Sequence, residues 1–442
     1  MNYVKHTHDC LVGAIRAMTP TDNSRKPGTY FTRNRKFSFE DVILHLISSG
    51  RGSINEEVRK YSIANGRDVC EAPSKSAVCQ QRNKLSAEAL PHLFHAFNDC
   101  FDTELFHGFQ LLAVDGSELS FHSRQLDWDA YIRSDRGKKG HYAVHVTAVY
   151  DLMTRKYVDA LIQPSRLKNE HEAVCQWAAG CRSERKRLLL ADRGFSSYNF
   201  YVHAGNNGLD FLVRLPKNQA EAILGKEASS SLGETFDTTV TRYLVRTRRK
   251  SGYLHPEEPE NYRIIATGTQ FDFLEAGKPG EIAVTLRIVK ILLDDGSCEY
   301  LATTLDASRF PPEKLKRLYR LRWGIETSFL HLKHTIGCEY FHSCKREQIQ
   351  QEIWARMILY NFCMEIARHV EIKKQGTLKY VYRINVTQAM KVCHEFLMAT
   401  AAARECMNVE AWILKADAVP IRDGRHYKRT SLSHGPKPLN YK

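Results

Sequence analysis

Two apolar runs that each end in an aspartate constrain the fold of this chain most. The run FQLLAVDGSELS (109–120) contains Asp115, and RLLLADRGF (187–195) contains Asp192. Continuous apolar runs of this length are typical of strands that are buried on both faces of a sheet. Further strands are predicted at 141–151, 157–164 and 209–216, with helices at about 168–180 and around 199–203. This order predicts the α/β class, a mixed sheet with helices on its faces.

A polar stripe is predicted on the helix that follows a Pro-Pro pair and contains YRLRWGIETSFLHLK (319–333). At about 100° per residue, the stripe is roughly 60° wide and contains Tyr319, Arg322, Glu326 and Lys333. The neighbouring face is apolar and contains Leu318, Leu321, Ile325, Phe329 and Leu332. A carboxylate flanked by cations suits a metal ion beside a phosphate backbone. A partly solvated helix with an i, i+4 ion pair is the open alternative.

Asp115, Asp192 and Glu326 therefore stand out by context, because strand ends of an α/β sheet are where sites form. Three carboxylates without His or Cys nearby select Mg²⁺ or Mn²⁺. Two such ions, about 3.5–4 Å apart, can support an in-line phosphoryl displacement. Two structural interpretations remain open: Asp115 as a turn residue before Gly116, and Asp192 as a cap of the following helix.

Charge and composition favour a polyanionic partner. The chain of 442 residues has 64 Lys and Arg against 50 Asp and Glu, a formal net charge of +14, and an isoelectric point near 9.2. No apolar run approaches the ~18 residues of a membrane span, and the amino terminus lacks the apolar core of a signal peptide. The twelve cysteines are scattered without a CxxC pair, which predicts a reduced cytoplasmic protein rather than a zinc protein.

A DNA-reading helix is predicted near the amino terminus. Ile54 to Asn65 reads as one helix, and APSKSAVCQQRNKL (72–85) as a second whose outward side chains include Lys75, Gln81, Arg82 and Lys84. Such side chains meet base edges and phosphates, so the pair predicts a degenerate helix-turn-helix. The connection is longer than the usual turn, and a plain helical bundle remains the alternative.

The same patterns predict the domain organisation. A helical DNA-binding domain covers 1–108, and the α/β core covers 109–217 and 301–345, with a β-rich insertion at 218–300. A helical region (346–420) and a basic flexible tail (421–442) follow.

At these residues the chain resembles bacterial insertion-sequence DDE transposases of the insertion-sequence-four family. That family has a first Asp in a strand, here LLAVDGSEL, and a second Asp in a DRG motif, here ADRGF. Its third acid lies in Tyr-x2-Arg-x3-Glu-x6-Lys, matched here by Tyr319, Arg322, Glu326 and Lys333. The resemblance implies an RNase H-like core in which Asp115, Asp192 and Glu326 bind two Mg²⁺ ions, with Mn²⁺ as a substitute. It also implies that phosphates are held by Tyr319, Arg322, Lys333 and Arg193.

The implied activity is cut-and-paste movement of an insertion sequence. The protein would cut at the element ends and join the 3′-OH ends to target DNA, in some members through a hairpin. The implied partners are double-stranded terminal inverted repeats, target DNA and a second copy of the chain in a synaptic complex. No membrane partner is implied, and the implied location is the nucleoid in the bacterial cytoplasm. Trp323 could stack on a base or pack, and Tyr243 and Tyr253 are candidates for holding a flipped base. A catalytically silent DNA-binding repressor or domesticated remnant, and a stand-alone nuclease, are the alternative functions.

Overall fold

The computed structural model describes residues 2–33, 35–133, 140–181, 185–225, 233–247, 253–293, 295–372, 381–416 and 418–420. The basic tail predicted at 421–442 lies outside the described residues. Within them, no helix combines the length and the apolar character that a membrane crossing requires, and all twelve cysteines are free thiols.

The centre of the fold is a mixed sheet whose first strands follow the predicted order. These strands are β1 (Gln110–Phe121), β2 (Tyr131–Ile132), β3 (His141–Asp151), β4 (Lys156–Pro164), β5 (Arg187–Ala191) and β6 (Leu209–Leu215). β3 pairs antiparallel with β1 and β4, whereas β5 pairs parallel with both β1 and β6. The order across the sheet is therefore β4-β3-β1-β5-β6, and the predicted α/β class is confirmed.

The strands of the 218–300 segment continue this same sheet. They are β7 (Phe236–Val245), β8 (Tyr262–Ile264) and β9 (Ile282–Leu292), and β10 (Cys298–Thr303) joins them to β6. β7 lies between β8 and β9, so the described residues form one ten-stranded sheet. Valine, threonine and tyrosine, which favour strands, are frequent in the segment predicted to be β-rich, and β8 is short because a turn follows it.

Five helices precede the sheet: α1 (Tyr3–Ala17), α2 (Phe39–Ser48), α3 (Ile54–Ala64), α4 (Lys75–Arg82) and α5 (Ala89–Asn98). Serine side chains begin three of them, because each accepts a hydrogen bond from a backbone N–H of the first turn that has no helical partner. These caps are Ser38, Ser53 and Ser74, and Ser38 forms a reciprocal capping box with Asp41. The two helices predicted at 54–65 and 73–85 are therefore present.

The remaining helices cover both faces of the sheet. They are α6 (Glu170–Ala179), α7 (Tyr198–Asn206), α8 (Lys217–Leu224), α9 (Pro312–Arg320), α10 (Trp323–Leu330), α11 (Arg346–Arg368), α12 (Val386–Met398), α13 (Ala401–Cys406) and α14 (Val409–Lys415). A short strand pair, Tyr382–Arg383 with Val419–Pro420, accompanies the last helices. On one face, β1 and β5 pack against α6 and α7 through Val114, Leu189 and Phe200.

Helix α11 lies at the centre of the other face. Its side chains Ile358 and Phe362 are fully buried in a core that also contains Phe94 of α5 and Leu46 of α2. Full burial of a side chain of this size contributes about 1.5–3 kcal/mol relative to exposure. The amino-terminal helices are therefore anchored on α11 and share a core with β1 and β3.

The segment predicted as one helix, Tyr319–Lys333, is helical, but its hydrogen-bonding pattern changes along its length. Between α9 and α10, the backbone N–H groups of Leu321, Arg322, Gly324 and Ile325 bond to carbonyls three residues earlier, which tightens the turn. A π-helical segment, His331–Ile336, then widens it. A constant 100° per residue was therefore wrong here, and Leu321, expected on the apolar face, is 43% exposed. Leu318, Ile325, Phe329 and Leu332 are buried as predicted.

Candidate active site

Asp115 and Asp192 lie on neighbouring strands at one end of the sheet. Val114 of β1 is in register with Ala191 of β5, so the two aspartates occupy the next position on each of two parallel strands. Neighbouring strands are about 4.8 Å apart. Asp192 is the first residue after β5, and the Arg193–Phe195 turn that follows it leads into α7. The two acids are 77 positions apart in the chain, and strand pairing brings them together.

Tyr319 connects the end of α9 to this strand edge. Its hydroxyl donates a hydrogen bond of 3.2 Å to Oδ1 of Asp192, and its ring is buried in a cluster with Leu190 and Leu318. Burial raises the pKa of the Tyr319 hydroxyl, and the nearby Arg322 charge only partly offsets that effect. Tyr319 therefore remains a neutral donor to Asp192.

Arg322 and Glu326 form the next pair of the stripe. Nη2 of Arg322 donates a hydrogen bond of 2.9 Å to Oε1 of Glu326, and the guanidinium is 3% exposed whereas the carboxylate is 33% exposed. Burial lowers the pKa of Arg322, but electrostatic interactions with Tyr319, Asp192 and Glu326 outweigh it and raise that pKa. A buried arginine is therefore held cationic between the second and third acids.

The carboxyl of Asp115 has a strongly shifted pKa. Burial raises the pKa of its carboxyl to about 6, and the negative charges of Glu326 and Glu170 add to that effect. The backbone N–H of Gly116, which donates to Oδ1 at 2.9 Å, and the Arg322 charge oppose the rise. Glu326 and Arg322 therefore both influence the pKa of Asp115, although they are more than 200 positions away in the chain.

Three further side chains are candidates to act with the three acids, namely Lys333, Arg193 and Trp323. Nζ of Lys333 donates a hydrogen bond of 2.8 Å to the carbonyl of Glu118 on β1. Arg193 is exposed directly beside Asp192. The indole of Trp323 is 45% exposed, and the Arg322 guanidinium lies 4.9 Å from its centroid. The predicted phosphate-binding cations therefore lie at the same strand edge as the acids.

The three acids have the donor chemistry of a hard divalent cation, because they offer only carboxylate oxygens. Burial is the main cause of the raised pKa of Asp115, and the negative charges of Glu326 and Glu170 add to it, so a bound cation would favour the ionised carboxylate. Among the described residues, no three His, Cys, Asp or Glu side chains are already gathered as a metal site. The donor types fit Mg²⁺.

A histidine–glutamate pair beside Asp115 was not found from the sequence. Nε2 of His145 on β3 lies 2.8 Å from Oε1 of Glu170, the first residue of α6, and the imidazole is buried. The pair occupies the space over Gly116, where an added Cβ would lie 2.1 Å from Oε1 of Glu170. The relevant signal was a glycine directly after a strand aspartate.

The structure separates the predicted DNA-reading side chains into two groups. Lys75 is exposed on α4, whereas Lys84 is half-buried beside the Tyr30 and Phe31 rings and donates to Oε1 of Gln81 at 3.0 Å. Gln81 itself is buried.

Arg82 is not available to DNA in this structure. It is 7% exposed and donates a 2.8 Å hydrogen bond to Oε1 of Glu352 on α11, and it also contacts Gln351 and the Gln348 carbonyl. Burial alone would raise the pKa of Glu352, but the Arg82 charge and hydrogen bonds from His342 lower it to about 2. The prediction that Arg82 reads bases is therefore wrong for this arrangement, because the guanidinium is fully engaged in fixing α4 to α11.

Comparison with known proteins identifies the family of this chain. The family model described as the transposase DDE domain matches residues 107–362, which include all three acids. The chain belongs to the DDE transposase family. The match to the transposase InsG for insertion sequence element IS4 of Escherichia coli (strain K12), at 32% identity over 98 residues, supports the insertion-sequence-four type that the motifs indicated.

That match covers 22% of this chain and 21% of the relative, so it spans about a fifth of the relative's length. Among solved structures, the cryo-EM structure of the piggyBac transposase synaptic complex with hairpin DNA aligns with 92% of this chain and 80% of that chain. Its TM-score is 0.45 and its sequence identity is 10%.

Proposed function

We propose that this protein is a DNA transposase that cuts at the ends of its insertion-sequence element and joins the resulting 3′-OH ends to target DNA. The observation that carries the proposal is that strand register puts Asp115 beside Asp192, and that the Tyr319 hydroxyl bonds to Asp192 while Arg322, three residues later, bonds to Glu326. Family membership supports the same reaction class. We further propose that the sheet is an RNase H-like core, in agreement with its mixed strand order.

The acids would hold the divalent ions of the reaction. Two Mg²⁺ ions bound there, or Mn²⁺ in their place, would activate the attacking oxygen and stabilise the leaving oxygen. The protein would supply no covalent nucleophile, and the role of its side chains at this edge would be to position charge. Arg322 keeps the Glu326 carboxylate in place, and the Tyr319 hydroxyl orients Asp192.

Cations on either side of the acids would hold the DNA. Lys333 lies beside β1 and Arg193 follows β5, so the two flank the acid positions along the sheet edge. Ammonium and guanidinium groups are the usual partners of backbone phosphates. With Tyr319 and Arg322 they would hold the strand that is cut. The exposed Lys75 on α4 would contact the terminal inverted repeats.

Two element ends must be held together for joining, so we expect a homodimer in the synaptic complex, acting at the nucleoid in the bacterial cytoplasm. The test of the proposed function is an assay with the full-length protein and duplexes that carry the DNA flanking its coding gene. We expect nicks at a defined terminal position that require Mg²⁺, followed by joined products with a second duplex. Binding without nicks or joined products would instead indicate the silent repressor.

A further inference from the structure

A basic cleft lies beside the acids on the side of the sheet away from Lys333. It has a volume of about 380 Å³ and is bounded by the end of β6, the start of α8 and the paired ends of β9 and β10. Its lining contains four cationic side chains and one carboxylate, namely Arg193, Arg214, Lys217, Lys290 and Glu299. The single acid cannot balance this charge, so the cleft attracts anions.

Strand register places the cleft next to Asp192. The last parallel pair between β5 and β6 is Ala191 with Val213, so Arg214 is the neighbour of Asp192. Nε of Arg214 lies 3.2 Å from Oε1 of Glu299. Arg193, which directly follows Asp192, lines the cleft together with Glu299. Burial raises the pKa of Glu299, and the Asp192 charge adds to that rise. The cleft therefore opens directly from the catalytic edge.

The cations extend across several strands of the sheet. Lys290 on β9 pairs with Tyr300 on β10, which pairs in turn with Leu215 at the end of β6. Adjacent strands are about 4.8 Å apart, so the backbone of Lys290 lies about three strand spacings, ~14 Å, from that of Asp192. Because side chains alternate between faces, Lys290 shares the face of Tyr300 and Leu215 and lines the cleft from the face opposite Arg214. Phosphates repeat every ~3.4 Å of helix axis along each strand of duplex DNA, so this distance spans more than one of them.

Lys217 and Lys290 are not committed to strong internal pairs. The Lys217 side chain is largely exposed, and its nearest carboxylate is Glu221 at 3.7 Å, one turn along α8. Such surface pairs contribute little to stability. Nζ of Lys290 lies 5.9 Å from the centroid of the Tyr300 ring. Both ammonium groups can exchange these contacts for a phosphate at small cost.

We propose that this cleft binds the phosphate backbone of DNA as it runs away from Asp192, on the opposite side of the acids from Lys333. The inference rests on the proposed function, because it assumes that the DNA at the acids is the DNA that is cut. Two duplexes can supply such a backbone: the flanking DNA beyond the element end, and the target DNA.

The experiment measures how DNA affinity depends on salt for the full chain and for the double variant Lys217→Gln/Lys290→Gln. Each lost phosphate contact lowers the slope of log Kd against log salt by about 0.9. We therefore expect the slope to fall by about 2 and affinity to weaken roughly 10-fold. The control is Lys186→Gln, which removes one positive charge next to β5 at the end opposite Asp192.

Two duplexes are compared, one with an element end plus flanking DNA and one of unrelated sequence. A slope change on the flanked duplex alone assigns the cleft to flanking DNA, and a change on the unrelated duplex assigns it to target DNA. Slopes that match the Lys186→Gln control on both duplexes would overturn the cleft proposal. Cleavage by the wild-type protein is recorded in parallel, because its absence would refute the proposed function while leaving the binding result valid.

Discussion

The hydroxyl of Tyr319 donates a hydrogen bond to Oδ1 of Asp192 at 3.2 Å, across 127 positions of the chain. This bond joins α9, which leads into the helix α10 that contains Glu326, to the end of β5, which Asp192 follows. With the Arg322–Glu326 bond of 2.9 Å, it forms a continuous connection from Asp192 to Glu326. The separation of the two acids is thus set by protein contacts before any DNA arrives.

Tyr319→Phe removes this hydrogen bond and keeps the buried ring. A hydrogen bond to a charged group contributes about 1.5–3 kcal/mol, so we expect cleavage of element-end DNA to slow by roughly 10- to 100-fold. Single-turnover cleavage rates measure the effect, and the thermal unfolding midpoint serves as the control for folding. A Tyr319→Phe protein that cleaves at the wild-type rate would show that the bond does not position Asp192.

Gly116→Ala tests the packing of His145 and Glu170 behind Asp115. The added Cβ would lie 2.5 Å from Nε2 of His145 and 2.1 Å from Oε1 of Glu170, so β1 or the pair must move. Overpacking of this kind costs about 1–3 kcal/mol, and cleavage should fall because Asp115 moves with the strand. Gly205→Ala in α7 is the matched control, because its added Cβ meets nothing within 4 Å.

For this pair of variants, the free energy of unfolding and the cleavage rate are both measured. Gly205→Ala should be neutral or slightly stabilising, since alanine is favoured over glycine in a helix by roughly 0.5–1 kcal/mol. Equal behaviour of the two variants would mean that the space over Gly116 is not needed.

Arg82→Ala should destabilise the fold rather than alter recognition. It removes the arginine partner of the buried Glu352 carboxylate and leaves only the contacts from His342, and breaking a buried ion pair costs about 3–5 kcal/mol. Lys75→Ala on the exposed part of α4 should leave stability within about 0.5 kcal/mol and should weaken binding to the inverted repeats. Chemical denaturation and DNA titration of both variants separate the two roles. An Arg82→Ala protein of normal stability with lost sequence preference would restore Arg82 as a base reader.

The same buried pair predicts acid sensitivity. The folded-state pKa of Glu352 is about 2, below its ordinary value of 4.5. A depressed carboxyl pKa stabilises the fold above the ordinary value, and that stability is lost as pH falls from about 4.5 toward 2, by as much as ~3 kcal/mol. Glu352→Gln should be less stable at neutral pH and should lose less stability over this acid range. Parallel curves of unfolding free energy against pH for the two proteins would contradict this assignment.

The sequence predicted what local patterns encode. Asp115 and Asp192 could be located because each follows a continuous apolar run, and the four polar residues of the 319–333 stretch have a recognisable spacing. The helical projection failed at Leu321, where the hydrogen bonding changes to three-residue spacing, a local change that leaves no mark in composition.

Contacts between distant segments were beyond prediction. Arg82 resembled an exposed reader because its partner Glu352 lies 270 positions away, on a helix whose packing against α4 no local pattern specifies. His145 and Glu170 were missed for the same reason, since β3 and α6 meet only once the sheet has formed. The basic cleft likewise depends on the register between β6, β10 and β9.

The central claim is that Asp115, Asp192 and Glu326 act together on DNA through divalent ions. The most direct test is Glu326→Gln, which keeps the size of the side chain and removes its charge. Binding of element-end DNA and Mg²⁺-dependent cleavage are measured on the same preparation. The account predicts wild-type binding with cleavage reduced to background, and cleavage at the wild-type rate by the Glu326→Gln protein would contradict it.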